Sequence, residues 1–255
     1  MFPLRDENPT ELTPIFTVGL IALNLIVWVY IQGAGMNDGL LFSSICRYGM
    51  IPAELTGRTG GYHGVQLAPG VPCAFGGLTW STLLTSMFLH GSWLHLIGNM
   101  WFMWVFGNNI EDSMGHIRFL VFYLVSGVAA AGAHLWSTPA SPIPTIGASG
   151  AVSGIMGAYL VLYPRVRVQT LFVFLIFIRI IDLPAWVVLG QWFLLQFLYG
   201  ATLPAAGGGV AFWAHVGGFV AGVALIKLFE DPTLVQAKKQ HVKLSPREIE
   251  RHGWW

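Results

Sequence analysis

Apolar residues along this chain come in long runs, not in the alternating or one-faced stripes of water-soluble strands and helices. A helix that crosses a bilayer needs about 20 mostly apolar residues. Six stretches approach that pattern: 13–32, 93–110, 117–136, 149–163, 183–199 and 210–229. The fourth is short and rich in Gly, Ala and Ser. Before the fifth the pattern blurs, because apolar residues run from Val168 to Tyr199 with Arg179 and Asp182 inside them. Asp182 followed by Pro184 reads as an N-cap and an early helix position. That starts the fifth helix at 183 and leaves 168–180 as an interfacial or re-entrant approach. The other reading is one long helix with Arg179 and Asp182 paired at i,i+3.

Composition sharpens this picture. Of the 255 residues, 55% are hydrophobic and only 10% charged, with a mean hydropathy of +0.63. Soluble domains carry about 25% charged residues, so a chain this apolar must face lipid. The expected fold is an all-α membrane protein, a bundle of six transmembrane helices over 13–229 with a long outward first loop at 34–92. Residues 1–12 precede it, and the polar stretch 230–255 follows as a solvated, partly helical appendage. The first run reads as a mature span and not a signal peptide. Arg5 is offset by Asp6, Glu7 and Glu11, and the apolar run is longer than a typical signal core.

Charge sets the orientation. Lys227, Lys238, Lys239, Lys243, Arg247 and Arg251 fall on one side of a six-span arrangement, with Arg5, Arg118, Arg165 and Arg167. The other side holds Arg47 and Arg58. Positive residues mark the cytoplasm, so both termini are expected there, with the protein in the cell membrane. A net charge of +1 gives no reason to expect nucleic acid. Cys46 and Cys73 share the outward loop and can pair if it meets an oxidising space; spacing alone does not establish the geometry.

Ionisable residues inside a membrane default to a functional hypothesis. His134, beside Trp136, reads as interfacial, and Arg179 and Asp182 as topology and capping residues. His95 and Asn99, at i,i+4, point from one helix face and can donate hydrogen bonds to one point. The fourth run opens with Gly147-Ala148-Ser149-Gly150. A helix start offers unpaired N–H groups and partial positive charge, which can stabilise an oxyanion. The sixth run holds Ala214-His215, with Gly218 and Gly222 on the same side as the imidazole, while Gly150, Gly154 and Gly157 follow Ser149. Small faces let transmembrane backbones approach closely, which a Ser–His contact between two helices requires. The bland reading of each motif alone is an ordinary packing seam with a stray serine or histidine.

Together these motifs resemble the rhomboid family of intramembrane serine proteases. Gly147 to Gly150 match its G-x-S-G, and Ala214, His215, Gly218 and Gly222 match its last span. His95 and Asn99 match H-x-x-x-N, with His90 as the upstream histidine, and Gly107, Glu111 and Gly115 match the end of the same span. The resemblance covers 13–229 and implies a rhomboid-like six-helix bundle acting on transmembrane protein substrates in the bilayer. It implies Ser149 as nucleophile, His215 as general base, and an oxyanion hole from the Ser149 N–H with His95 and Asn99. Gly147, Gly150, His90, Ser153, Gly218 and Gly222 would support them.

Three departures stand out. Trp80 is followed by Ser81 where the family often has Trp-Arg, and Ser86 replaces a histidine seen in some members. Ser153 stands where an aromatic residue often stacks on the catalytic histidine, and it is expected to hydrogen-bond His215 instead. The loop 137–146, with three prolines, is expected to dip toward an outward-open cavity. No metal or organic cofactor is expected, since the chain has no H-E-x-x-H and His90 and His95 share no helix face. The oligomeric state is not legible. The rival readings are a non-enzymatic rhomboid-like protein that binds membrane clients, and a transporter lined by His95 and His215, against which the missing inverted repeat argues.

Overall fold

The computed structural model describes residues 1–76, 80–174, 177–203 and 210–254. The remainder, including 77–79 of the expected outward loop and 255 of the expected tail, lies outside that description. The chain opens on strand β1 (Phe2–Asp6) and enters helix α1 (Ile15–Ile26). No local side chain caps α1. Glu111, distant in sequence, takes that role. Its Oε1 accepts the Phe16 N–H at 2.9 Å, and its Oε2 accepts the Thr17 N–H at 2.8 Å and the Thr17 hydroxyl at 2.7 Å. A carboxylate there satisfies unpaired donors and complements the helix dipole. A π-helical turn, Val27–Ile31, extends α1 toward buried Gln32.

The expected outward loop is a folded region. It contains α2 (Asp38–Tyr48), α3 (Pro52–Leu55), a hairpin of β2 (Gly64–Ala68) and β3 (Val71–Ala74), and α4 (Thr82–Thr85). A Cys46–Cys73 disulfide ties α2 to β3. Next, α5 (Trp93–Phe102) continues through a π-helical stretch, Met103–Gly107, into α6 (Asn108–Met114), past the expected end at 110. Gly115, at φ 81°, makes the left-handed turn into α7 (His116–Ser137). Helix α8 (Ser149–Leu162) follows, buried continuously from Gly150 to Tyr159.

The segment expected to approach the membrane as an interfacial or re-entrant stretch is an antiparallel hairpin, β4 (Arg167–Phe174) and β5 (Phe177–Pro184). β1 pairs with the free edge of β4, giving the order β1-β4-β5. The all-α expectation is therefore corrected by two small sheets, and the single-long-helix alternative is excluded. Asp182 lies in β5 opposite Gln169 and caps nothing; helix α9 (Ala185–Thr202) starts three residues later, behind Pro184. β-branched residues such as Val168, Thr170, Val173, Ile178, Ile180 and Ile181 favour the pleated state.

Helix α10 (Phe212–Phe229) crosses α8 at very short range. A Cβ added at Gly218 would fall on the carbonyl oxygen of Gly150, at Gly222 on that of Gly154, and at Gly157 on that of Phe219. A Cβ at Gly217 would fall on the Ala133 methyl of α7. Among the described residues, α7 and α10 are each long and apolar enough to cross a bilayer. Their outward stripes are apolar, with Val121, Val125 and Val128 exposed on α7 and Val220 and Val223 on α10.

The C-terminal segment is helical in part, as α11 (Pro232–Lys239) and α12 (Pro246–Gly253); α11 is not solvated but buries Leu234, Val235 and Lys238, whereas α12 is largely exposed and buries Gly253. Lys238 is buried, and its ammonium donates to Asn109 Oδ1 at 2.6 Å and Asp112 Oδ2 at 2.7 Å. Asp112 also accepts the Leu12 N–H at 2.6 Å, and Asn109 donates to Asp6 at 2.7 Å. One polar cluster thus joins both ends of the chain to α6.

Glu111 is fully buried and also contacts His116 Nδ1 at 2.6 Å. Leaving a buried donor without its acceptor costs about 1–3 kcal/mol for each group, and Glu111 serves the Phe16 N–H, the Thr17 N–H and the Thr17 hydroxyl. Glu111→Ala is therefore expected to lower the thermal midpoint of the detergent-solubilised protein by a corresponding margin. An unchanged midpoint would contradict this account of how α1 is anchored.

Candidate active site

Ser149 is the first residue of α8, so its N–H has no partner within the helix. Two residues earlier, Gly147 sits at φ 125°, a conformation that L side chains rarely adopt, and a Cβ there would stand 2.7 Å from His95 Nε2. Only glycine lets the backbone pass the imidazole at this distance. Gly147 is pinned by donating its N–H to the Ser86 carbonyl at 2.9 Å. On the other side of Ser149, a Cβ at Gly150 would come within 2.6 Å of the Ala130 methyl. These contacts hold the start of α8 between α5 and α7.

The α8–α10 crossing carries His215 to the serine. Its Nε2 lies 2.8 Å from Ser149 Oγ. Its Nδ1 lies 2.8 Å from Oε1 of Gln196, a residue of α9 that the sequence analysis did not single out. Trp192, one turn before Gln196, places its ring 5.8 Å from the imidazole centroid at 38°. Ser153 does not contact His215 as expected. Its hydroxyl donates to the Ser149 carbonyl within the same helix at 2.6 Å. An i−4 carbonyl is the nearest acceptor for a serine inside a helix, and Gln196 already occupies the free side of the imidazole.

His95 and Asn99 face the same space from α5. Ser92 caps α5 by accepting the His95 N–H at 3.1 Å, and His95 Nδ1 accepts from the Gly91 N–H at 3.4 Å. An imidazole whose Nδ1 accepts carries its proton on Nε2, the atom turned toward Gly147. Asn99, buried, donates its amide to His90 Nε2 at 3.0 Å. His90 is itself held at its backbone, where Gln32 accepts the N–H at 2.8 Å and donates to the carbonyl at 2.7 Å. Gln32 is a second residue the sequence analysis did not name. Its signal was a glutamine closing an apolar run just before the expected loop.

A cavity of about 470 Å³ connects these groups, lined by His95, Asn99, Ser149 and His215 with Met87 and Ala130. Thr145 and Ile146, from the proline-bearing loop, also line it, and that loop is fastened by mutual backbone hydrogen bonds between Met50 and Thr145. Among the described residues, no three His, Cys, Asp or Glu side chains gather to hold a metal ion. Chemically, the cavity combines a hydroxyl on an imidazole acceptor with an unpaired helix N–H, an imidazole and a carboxamide.

The Rhomboid domain family model matches residues 77–230. Rhomboid protein 1, mitochondrial, of Saccharomyces cerevisiae is 29% identical over 151 residues, which is 56% of this chain and 40% of that protein. Rhomboid protease GluP of Bacillus subtilis is 41% identical over 81 residues, 32% of this chain and 15% of the relative. Presenilin-associated rhomboid-like protein, mitochondrial, of Homo sapiens is 31% identical over 94 residues, 36% of this chain and 25% of the relative. The chain thus matches well under half the length of each of these relatives.

Proposed function

Because the chain belongs to the rhomboid family, and so is a membrane protein, we propose that it is an intramembrane serine endopeptidase that cuts transmembrane segments of other proteins. The observation that carries this reading is Ser149 Oγ at 2.8 Å from His215 Nε2, in a cavity shared with His95 and Asn99. In this reading α1, α5 with α6, α7, α8, α9 and α10 cross the cell membrane, with both termini cytoplasmic and 34–92 outward. The positive-inside distribution of Lys and Arg supports that orientation.

Serine is a weak nucleophile until a neighbouring base takes its proton. His215 Nε2 accepts the Ser149 hydroxyl proton as Oγ attacks the scissile carbonyl carbon. The carbonyl oxygen becomes an oxyanion, which the Ser149 N–H, His95 Nε2–H and the Asn99 amide stabilise. The imidazolium then protonates the leaving amine, and water hydrolyses the acyl-enzyme by the same route. The chemistry calls on neither metal nor organic cofactor. A carboxylate partner is absent from this scheme, which suits a low-dielectric setting where an unpaired charge is costly.

A fluorophosphonate probe tests the reading, since it forms a covalent bond only to an activated serine. The wild-type protein is expected to be labelled at Ser149, with Ser149→Ala blank. Losing one oxyanion donor typically costs about 10²–10³ in rate. Asn99→Ala is expected to slow peptide-bond cleavage by that factor while keeping the fold, read by its thermal midpoint. Cleavage at the wild-type rate would remove Asn99 from the oxyanion hole. Failure of the wild type to label, or to cleave, would move the assignment to a client-binding rhomboid-like protein.

A further inference from the structure

We infer that Gln196 is a positioning residue for the general base, completing a Ser149–His215–Gln196 relay in which an uncharged amide stands where soluble serine hydrolases place a carboxylate. The inference rests on the protease reading above and goes beyond it in assigning α9 a part in the chemistry. Gln196 Oε1 lies 2.8 Å from His215 Nδ1, and on the opposite side of the ring Nε2 lies 2.8 Å from Ser149 Oγ. An amide oxygen can only accept a hydrogen bond. Its partner Nδ1 therefore carries the imidazole proton, and Nε2 presents its lone pair to the serine hydroxyl. That is the tautomer general-base catalysis needs; the opposite tautomer would put a proton where Ser149 must give one up.

Geometry besides the hydrogen bond supports the role. Trp192 and Gln196 are one helical turn apart on α9, so both face α10. Trp192 packs at 5.8 Å on the imidazole and at 6.2 Å on Phe219, four residues further along α10. Phe193 adds a 4.7 Å ring contact to Phe219. The imidazole is thereby held in orientation by one face contact and two end-on hydrogen bonds. When the ring becomes an imidazolium, the amide dipole stabilises the new charge without requiring a carboxylate to stay ionised among apolar helices, where it would be costly. α9 carries glutamines at 191 and 196 among its apolar residues, and Gln196 engages its polar end on the imidazole.

Fluorophosphonate labelling rates in liposomes test this, alongside ¹⁵N NMR of histidine-labelled protein. General acid–base assistance contributes about 10²–10⁴ to rate. Gln196→Leu is expected to lose about 10- to 10²-fold of the labelling rate. In the unsubstituted protein the His215 ring is expected to show a protonated Nδ1 and a bare Nε2. Gln196→Leu labelling at the wild-type rate would overturn the positioning role while leaving Ser149 and His215 in place. So would an Nε2–H tautomer in the unsubstituted protein, a result that needs no variant to fold. A wild-type Ser149 that takes no label would instead bring down the protease reading and this relay with it.

Discussion

Ser149→Ala and His215→Ala are each expected to reduce cleavage by about 10⁶-fold, and the double variant is expected to be no worse than either single one. Nucleophile and base act as one unit, so removing either removes what the other contributes. The 2.8 Å contact between Oγ and Nε2 makes the coupling direct, since proton transfer needs no rearrangement of either helix. What survives in the variants is the oxyanion site, made of the Ser149 backbone N–H with His95 and Asn99. Measuring cleavage for both singles and the double closes a mutant cycle. Additive losses would mean that the two residues work in separate steps, and the shared proton transfer would be wrong.

The second large effect is expected from a substitution that touches no catalytic atom. Gly222→Val places its Cβ on the Gly154 carbonyl oxygen, which is backbone and cannot rotate away. The two helices must then separate. Overpacking a close-packed seam costs about 1–3 kcal/mol, occasionally more. The kinetic effect should be larger than that suggests, because Gly222 and Gly218 set the height and distance at which α10 presents His215 to α8. A misplacement of roughly 1 Å in reacting groups costs about 10²-fold in rate. We expect Gly222→Val to lose at least that much cleavage and to melt earlier. Gly132→Ala, at a position with open space around its Cβ, serves as the matched control and should change neither. A Gly222→Val protein with normal rate and normal midpoint would show that the seam does not position the dyad.

How much of this was legible beforehand depended on whether the signal was local. Ser149, His215, His95 and Asn99 stood out as polar groups on apolar runs, and the resemblance to the rhomboid family implied that they act together; the structure brings all four to one cavity. The small faces of α8 and α10 were readable from helical spacing. The β4–β5 hairpin was not, because a short apolar run has no period that separates strand from buried helix. Its third strand, β1, lies some 160 residues away in sequence; Phe2 pairs with Leu171. The docking of α11 was hidden by composition: Lys238 looks solvated until Asp112 and Asn109 are seen to meet it. A faint signal existed, since Leu234 and Val235 precede Lys238 at helical spacing and are buried with it.

Gln196 and Gln32 illustrate a different limit. Gln196 lies within an apolar helix and Gln32 just past the end of one, which marks them as unusual, yet nothing local says what they touch. Each proved to bond a histidine of the site, Gln196 through the His215 ring and Gln32 through the His90 backbone. The expected Ser153–His215 bond failed for a related reason. The family resemblance placed Ser153 near the imidazole, but its hydroxyl donates within its own helix, to the Ser149 carbonyl.

The most direct test of the central claim is cleavage of a diverse panel of single-span reporter proteins, co-reconstituted with this protein in liposomes and followed by the appearance of product fragments. The account predicts that the wild type cuts at least some reporters within or beside the membrane span, and that Ser149→Ala and His215→Ala, folded to the same midpoint, cut none. Cleavage that persists in Ser149→Ala would contradict it, because the bond would then be broken by some other nucleophile.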